Sequence, residues 1–279
     1  DNFYFGKIQI TPLVSGFEVI NTIPIETYLL SVIPSEVPLS FPFEALKAQA
    51  VIARTYSYYF IEKYRNSRNF DVDNTIMYQV YNGFNIKTDK KNMEKLKKAL
   101  FSTTNKILIH NDKPILAYFH SNSGGITRSG SEYFGKSSDF EYLKSRDDPY
   151  SIGEKNDKWD YSLDLETFKN KLGIKNEITE DLSENMFEKD SNAFVKKFIY
   201  KDVAYQTKEI RKKIGYFELK SERFKIKIEE NNIIFSGIGF GHGVGLSQYG
   251  AKKMAELGFK YEQIVNFYYP KTQIVEIKE

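Results

Sequence analysis

Glu36 is the residue of this sequence best suited to proton-transfer chemistry. It lies in Val32-Ile33-Pro34-Ser35-Glu36-Val37-Pro38, an apolar stretch stiffened by proline on both sides. Apolar neighbours strip water from a carboxyl group, favour its neutral form and equip it to donate a proton near neutral pH. A solvated turn is the alternative, and the next helix weighs against it. Lys47 and Arg54 stand seven residues apart, about two helical turns, on a segment rich in alanine (Ala45, Ala48, Ala50, Ala53). Two cations on one stripe of so apolar a helix need a partner. A substrate groove beside Glu36 is the expected one; a buried ion pair with Glu26 or Glu44 is the structural alternative.

Two further clusters carry polar chemistry. Phe119-His120-Ser121-Asn122-Ser123-Gly124-Gly125-Ile126-Thr127 gathers imidazole, hydroxyl and glycine at the expected end of a strand, as an exposed loop does. Gly237–Gly245 has glycine at every second position. In an extended chain this leaves one face without side chains, with Ile238, Phe240, His242, Val244 and Leu246 on the other, so that a backbone or ligand approaches closely. Ser247 is expected to cap the helix that follows.

Other chemistries are excluded or weak. The glycine segment lacks the spacing of a dinucleotide or phosphate loop, and no nucleophile elbow is present. The absence of cysteine removes disulfides, thiolate metal sites and cysteine nucleophiles. The three histidines, His110, His120 and His242, are scattered and show no metal-binding spacing, so neither metal nor cofactor is expected. A metal-dependent hydrolase using His120 and His242 is kept as a weak reading. Forty basic against 37 acidic residues give a net charge of +3 without a concentrated basic patch, which argues against nucleic acid. No apolar run approaches the roughly 20 residues of a membrane span. For an exported protein the leader is then expected to be absent from this sequence.

These residues need elements to hold them. Residues 3–20 read as short strands, and a helix begins near Pro24 and is expected to stop at Pro34. Pro42 opens the clearest helix, running to about Tyr64. Another spans about 89–103, followed by a hairpin with strands 107–110 and 114–120 around Asn111-Asp112. Helical patterns recur at 164–172 and 206–214, strands at 224–229 and 233–236, and a closing helix runs from about Gln248 to Leu257 with Gly258 as its stop. The expectation is an α+β fold: a single mixed domain over 1–279 with an Ala-rich central helix, short antiparallel strands and a helical, family-variable insertion at about 164–213.

Three stretches together resemble the SpoIID/LytB family of bacterial wall proteins: residues 25–56, 118–127 and 237–258. Weaker echoes are Gln79-Val80-Tyr81-Asn82-Gly83, Tyr142-Leu143-Lys144-Ser145 and Phe267-Tyr268-Tyr269. The resemblance implies a lytic transglycosylase acting on peptidoglycan glycan strands that lack stem peptides, in the cell envelope outside the cytoplasm. It implies Glu36 as the catalytic acid, in a Ser35-Glu36-Val37-Pro38 motif. It implies substrate-binding positions at Lys47, Arg54, Gln79, Tyr81, His120, Ser121, Ser123 and Thr127, and also at Tyr142, His242 and Gln248. Glycan strands are the expected partner, with other cell-wall or engulfment proteins as further candidates; the oligomeric state is left open. Some relatives hold zinc through cysteines and histidines. This chain has Met77 and Tyr78 where many carry His and Cys, so zinc is not carried over. The family name also covers amidase enhancers, which makes a non-catalytic glycan-binding or amidase-enhancing protein the rival reading.

Overall fold

The computed structural model describes residues 2–65, 67–74, 78–85, 89–135, 140–175, 178 and 184–277. Met77, and residues 176–177 and 179–183 of the expected insertion, lie outside the described residues. The helices are α1 (Ile25–Glu36), α2 (Phe43–Tyr64), α3 (Lys90–Phe101), α4 (Gly130–Phe134), α5 (Leu165–Leu172), α6 (Thr207–Ile214), α7 (Gln248–Glu256) and α8 (Tyr261–Tyr268). Short, mostly antiparallel strand groups accompany them, which is the expected α+β class. The chain folds as two compact units: Asp1–Tyr118 with Met254–Phe267 and Lys271–Glu279, and Phe119–Lys253 with Tyr268–Pro270.

The first unit is built on α2. Ala45, Ala48, Ala50 and Ala53 are buried together with Leu46, Val51 and Ile52, so the helix is apolar nearly all round along its middle turns. Alanine leaves room for close neighbours, and α1, α3 and the strand Lys106–His110 pack against it. That strand pairs antiparallel with Gln273–Glu276 on one side and Lys113–Pro114 on the other. Asn111 and Asp112 both take positive φ in the tight turn, the geometry a two-residue hairpin demands. A second hairpin, Lys7–Pro12 with Phe17–Thr22, precedes α1.

Two sequence expectations need correction here. Pro34 does not end α1; the helix continues to Glu36. The ring removes one N–H, but Ser35 Oγ donates to the Ser31 carbonyl at 3.1 Å and Val37 N–H to the Ile33 carbonyl at 2.9 Å, so the last turn stays bonded. Glu36 is therefore a helix C-terminal residue, not a turn residue. The expected strand 114–120 is also not continuous. Its end, Phe119–His120, belongs to the second unit and pairs parallel with Leu246–Ser247.

In the second unit the strand Asn232–Ile238 lies between Phe224–Glu229 and Lys158–Asp164. A second sheet runs Val203–Gln206, Val195–Tyr200, Phe187–Lys189. Described residues of the stretch 164–213 contribute to the core of this unit: Phe168, Leu172, Val195, Phe198 and Ile210 share one hydrophobic cluster with Trp159, Phe224 and Phe235. The glycine segment departs from the extended form. Gly239, Gly241, Gly243 and Gly245 all have φ between +72° and +111°, so the chain zigzags through left-handed residues. The close approach is real: a Cβ on Gly241 would lie 2.7 Å from His120 Cβ, and one on Gly243 would lie 2.7 Å from the Phe194 ring.

Candidate functional site

In the first unit Glu36 ends α1 half-buried. Val80 N–H donates to its Oε1 at 3.0 Å. Burial pushes the carboxyl above its ordinary value, and the Val80 hydrogen bond opposes this more weakly. No cation stands among the causes. The acid is therefore biased toward its protonated form. Tyr28, eight residues back on the same helix, and Tyr56 on α2 are close enough to feel its charge, and both phenols are held far above their ordinary range, chiefly by burial. Gln79 is completely buried: its Nε2 donates to the Ala53 carbonyl at 3.2 Å, and its Oε1 accepts from Ser57 Oγ at 3.0 Å and from the Tyr28 hydroxyl at 3.4 Å. Tyr81 packs its ring on Tyr28 with centroids 5.1 Å apart and donates its hydroxyl to Asn21 at 2.6 Å.

The basic stripe is not a groove wall. Arg54 has no exposed surface, and a side chain without exposed surface cannot line a groove. Its Nε and Nη2 hold both oxygens of Glu26 at 2.7 and 2.8 Å, and Nη1 donates to the Lys106 carbonyl at 3.0 Å. This is the buried ion pair of the structural alternative, in its bidentate form. Lys47 is bound to Glu44 at 3.1 Å and sits 4.5 Å above the Tyr261 ring, while Glu44 accepts the Tyr261 N–H at 2.8 Å. Lys47 thus helps Glu44 satisfy the first turn of α8. Both cations are committed to scaffold, and among the described residues no cation acts on Glu36.

A cleft of about 800 Å³ also opens in the first unit. Its lining includes Tyr4, Tyr28, Tyr81, Glu18, Asp71 and Asp73, with no basic side chain and without Glu36.

In the second unit the structure brings His120 and His242 together, with ring centroids 5.6 Å apart. The glycine zigzag places them. His120 Nδ1–H donates to the Val244 carbonyl at 3.1 Å, whereas His242 Nδ1 accepts the Val244 N–H at 3.0 Å, so the two rings hold opposite tautomers. Burial lowers both, His120 to about 4, and both are neutral at pH 7. His120 Nε2 is buried without a partner, while the His242 Nδ1 lone pair is already taken. Among the described residues no three His, Cys, Asp or Glu side chains converge as metal ligands.

The serine loop serves mainly as scaffold. Ser123 Oγ donates to Asp148 Oδ2 at 2.7 Å, and its backbone N–H donates to Ser247 Oγ at 3.2 Å. Ser247 also accepts the Gly250 N–H at 3.3 Å and so caps α7 as expected. Thr127 Oγ1 accepts the Arg146 N–H at 3.0 Å, and Ser121 Oγ accepts from Asn156 at 3.3 Å. Tyr142 and Gln248 are buried. Gln79, Ser123, Thr127 and Tyr142, expected at substrate, are therefore enclosed by protein, as Arg54 is. Sequence reasoning missed Asp148, a fully buried carboxyl held by Ser123 and by the Tyr268 hydroxyl at 3.1 Å. It also missed Arg128, which binds Asp190 at 2.5 Å and Glu222 at 2.6 Å with all three side chains buried. Nothing local in the sequence pairs residues 62 and 94 positions apart. Tyr28 had a signal, because a spacing of eight puts it on the Glu36 face of α1.

Comparison with known proteins is consistent across the chain. The family model described as SpoIID, stage II sporulation protein, matches residues 14–110. Stage II sporulation protein D of Bacillus subtilis (strain 168) is 35% identical over 272 residues, which cover 92% of this chain and 76% of that protein. Its counterpart in Bacillus amyloliquefaciens is 34% identical over 268 residues, with the same coverage. The amidase enhancer of Bacillus subtilis (strain 168) is 32% identical over 294 residues, or 88% of this chain and 40% of that protein. With this identity sustained over nine-tenths of its length, the chain belongs to the SpoIID family.

Proposed function

We propose that this chain is a peptidoglycan lytic transglycosylase that cleaves the β-1,4 bond between N-acetylmuramic acid and N-acetylglucosamine, with Glu36 as its single acid/base and glycan strands lacking stem peptides as its substrate. The observation that carries this reading is the state of Glu36: half-buried, one hydrogen bond, no cation, and a raised proton affinity. Glycoside hydrolysis normally uses two carboxylates. One suffices when the substrate supplies its own nucleophile. The Glu36 proton goes to the departing N-acetylglucosamine oxygen as the C1–O bond breaks. The muramyl C6 hydroxyl then bonds to C1, and its proton returns to Glu36. The 1,6-anhydro ring closes and the enzyme is restored. Intramolecular attack provides the effective concentration that a second protein group would otherwise secure.

Mass spectrometry of peptidoglycan digests, with and without prior removal of stem peptides, tests the proposal. Anhydro-muramyl termini are expected; ordinary reducing termini would point to water as nucleophile and to a second carboxylate. The similarity to an amidase enhancer favours one other reading, a wall-binding protein that stimulates an amidase and cuts no glycan. Under that reading Glu36→Gln leaves amidase stimulation intact and no digest contains anhydro termini. The work site of either reading is the cell envelope; among the described residues no helix is long and apolar enough to cross a membrane.

A further inference from the structure

The segment Gln79–Gly83 lies outside every strand, yet Gln79, Val80, Tyr81 and Gly83 are each tied to a neighbouring element. Gln79 joins α2 through Ala53 and Ser57 and joins α1 through Tyr28. Val80 N–H reaches Glu36. Tyr81 bonds Asn21, and the Gly83 carbonyl accepts Ser31 Oγ at 2.5 Å. A backbone N–H with no ladder partner is only as well placed as the side chains that anchor its neighbours. Gln79 is the nearest anchor and the one that is fully enclosed.

We propose that Gln79 is a positioning residue: its buried amide pins this segment to both helices so that Val80 N–H stays on Glu36 Oε1, which fixes the orientation of the acid and how readily it gives up its proton. A backbone N–H can donate but never accept, so it supports the carboxylate form. Without it only burial would act, and Glu36 would hold its proton too tightly to complete a cycle that needs both forms. Among the described residues Tyr28 from α1 and Tyr56 from α2 are the titratable groups that face Glu36, and no lysine, arginine or histidine is among the charges acting on it. The inference rests on the reading of Glu36 as the proton-transfer residue, but its geometry is testable without substrate.

The test uses the full chain labelled with 15N-valine and read by NMR. The Val80 amide is expected to titrate with Glu36 in the wild type, and the titration to vanish in Glu36→Gln. In Gln79→Met, similar in length and unable to form the three bonds, the midpoint is expected to rise by about half a pH unit, roughly threefold in protonation constant. Ser57→Ala removes one donor to Gln79 and keeps the inference testable if Gln79→Met does not fold; a smaller shift in the same direction is expected. An unchanged or lowered midpoint in the folded variants overturns the assignment. A chain that never cleaves glycan leaves this readout untouched and overturns only the catalytic reading.

Discussion

Each unit buries a carboxyl whose proton affinity burial raises, and the two are held very differently. Asp148 in the second unit is wholly enclosed and faces hydroxyls from Ser123, Tyr268, Ser151 and Ser247. Glu36 in the first unit is half-exposed and has one backbone N–H. Burial raises the proton affinity of both. The surrounding hydroxyls give Asp148 a fixed place and leave it little freedom to exchange a proton with anything outside the protein. Glu36 is partly exposed, and among the described residues its second oxygen has no hydrogen-bond donor. Raised proton affinity alone therefore does not distinguish a working acid from a scaffold acid; the number of protein donors does.

The largest expected effect breaks that contrast directly. Glu36→Gln is expected to lower glycan cleavage at least 10²- to 10⁴-fold, the usual worth of a positioned general acid, as measured by release of soluble fragments. The same variant sharpens the comparison through pH. A carboxyl whose folded pKa is raised binds protons in the native state that the unfolded chain has already released, so wild-type stability falls as pH rises from the unfolded value through the folded value. Glu36→Gln should accordingly be at least as stable as wild type at pH 7, with the difference closing as pH drops toward 4.5. A variant that unfolds at neutral pH would make Glu36 a scaffold acid like Asp148.

The two arginines give the next effects. Arg128→Ala strands Asp190 and leaves Glu222 only the more distant Arg211 at 3.8 Å, both carboxylates being almost fully buried, and is expected to cost about 3–5 kcal/mol by denaturant titration. Arg54→Ala strands Glu26, whose side chain is 30% exposed and can recover water, so a smaller loss is expected. Folded Arg54→Ala should cleave glycan at near the wild-type rate. A tenfold loss of cleavage with unchanged stability would return Arg54 to the substrate site.

These outcomes bear on how much of the molecule was legible in advance. The Ala-rich α2, its proline start and the α+β class follow from local pattern, whereas the acid role of Glu36 comes from the family resemblance, because the basic stripe beside it is scaffold. The end of α1 did not, because Ser35 and Val37 repair the turn that Pro34 disturbs. The partner of Arg54 did not, because Glu26 is 28 positions away and both fates suit the same spacing. The glycine zigzag was hidden because alternating glycine reads equally as an extended strand or a left-handed run. Val80 was beyond reach on principle: its contribution is a backbone N–H, which every residue except proline carries. Gln79, Ser123 and Thr127, expected at substrate, are enclosed and have polar side chains that hold the protein's own segments in place.

The smallest effect concerns a residue that nothing holds. Gln49 lies on α2, 2% exposed, and neither atom of its side-chain amide has a hydrogen-bond partner. Five residues further along the same helix Arg54 is equally buried and bonded at Nε, Nη1 and Nη2, so burial is not what separates them. An unpaired buried amide costs about 1–3 kcal/mol relative to an apolar group of like shape. Gln49→Leu is close in volume and removes both orphaned atoms, and it is expected to raise stability by about 1 kcal/mol, a shift of a few degrees in Tm. A fall in Tm instead would mean that an internal water completes the amide, and the contrast with Arg54 would disappear. Glycan cleavage is expected to stay at the wild-type rate, since an amide 2% exposed is as enclosed as the side chains of Ser123 and Thr127.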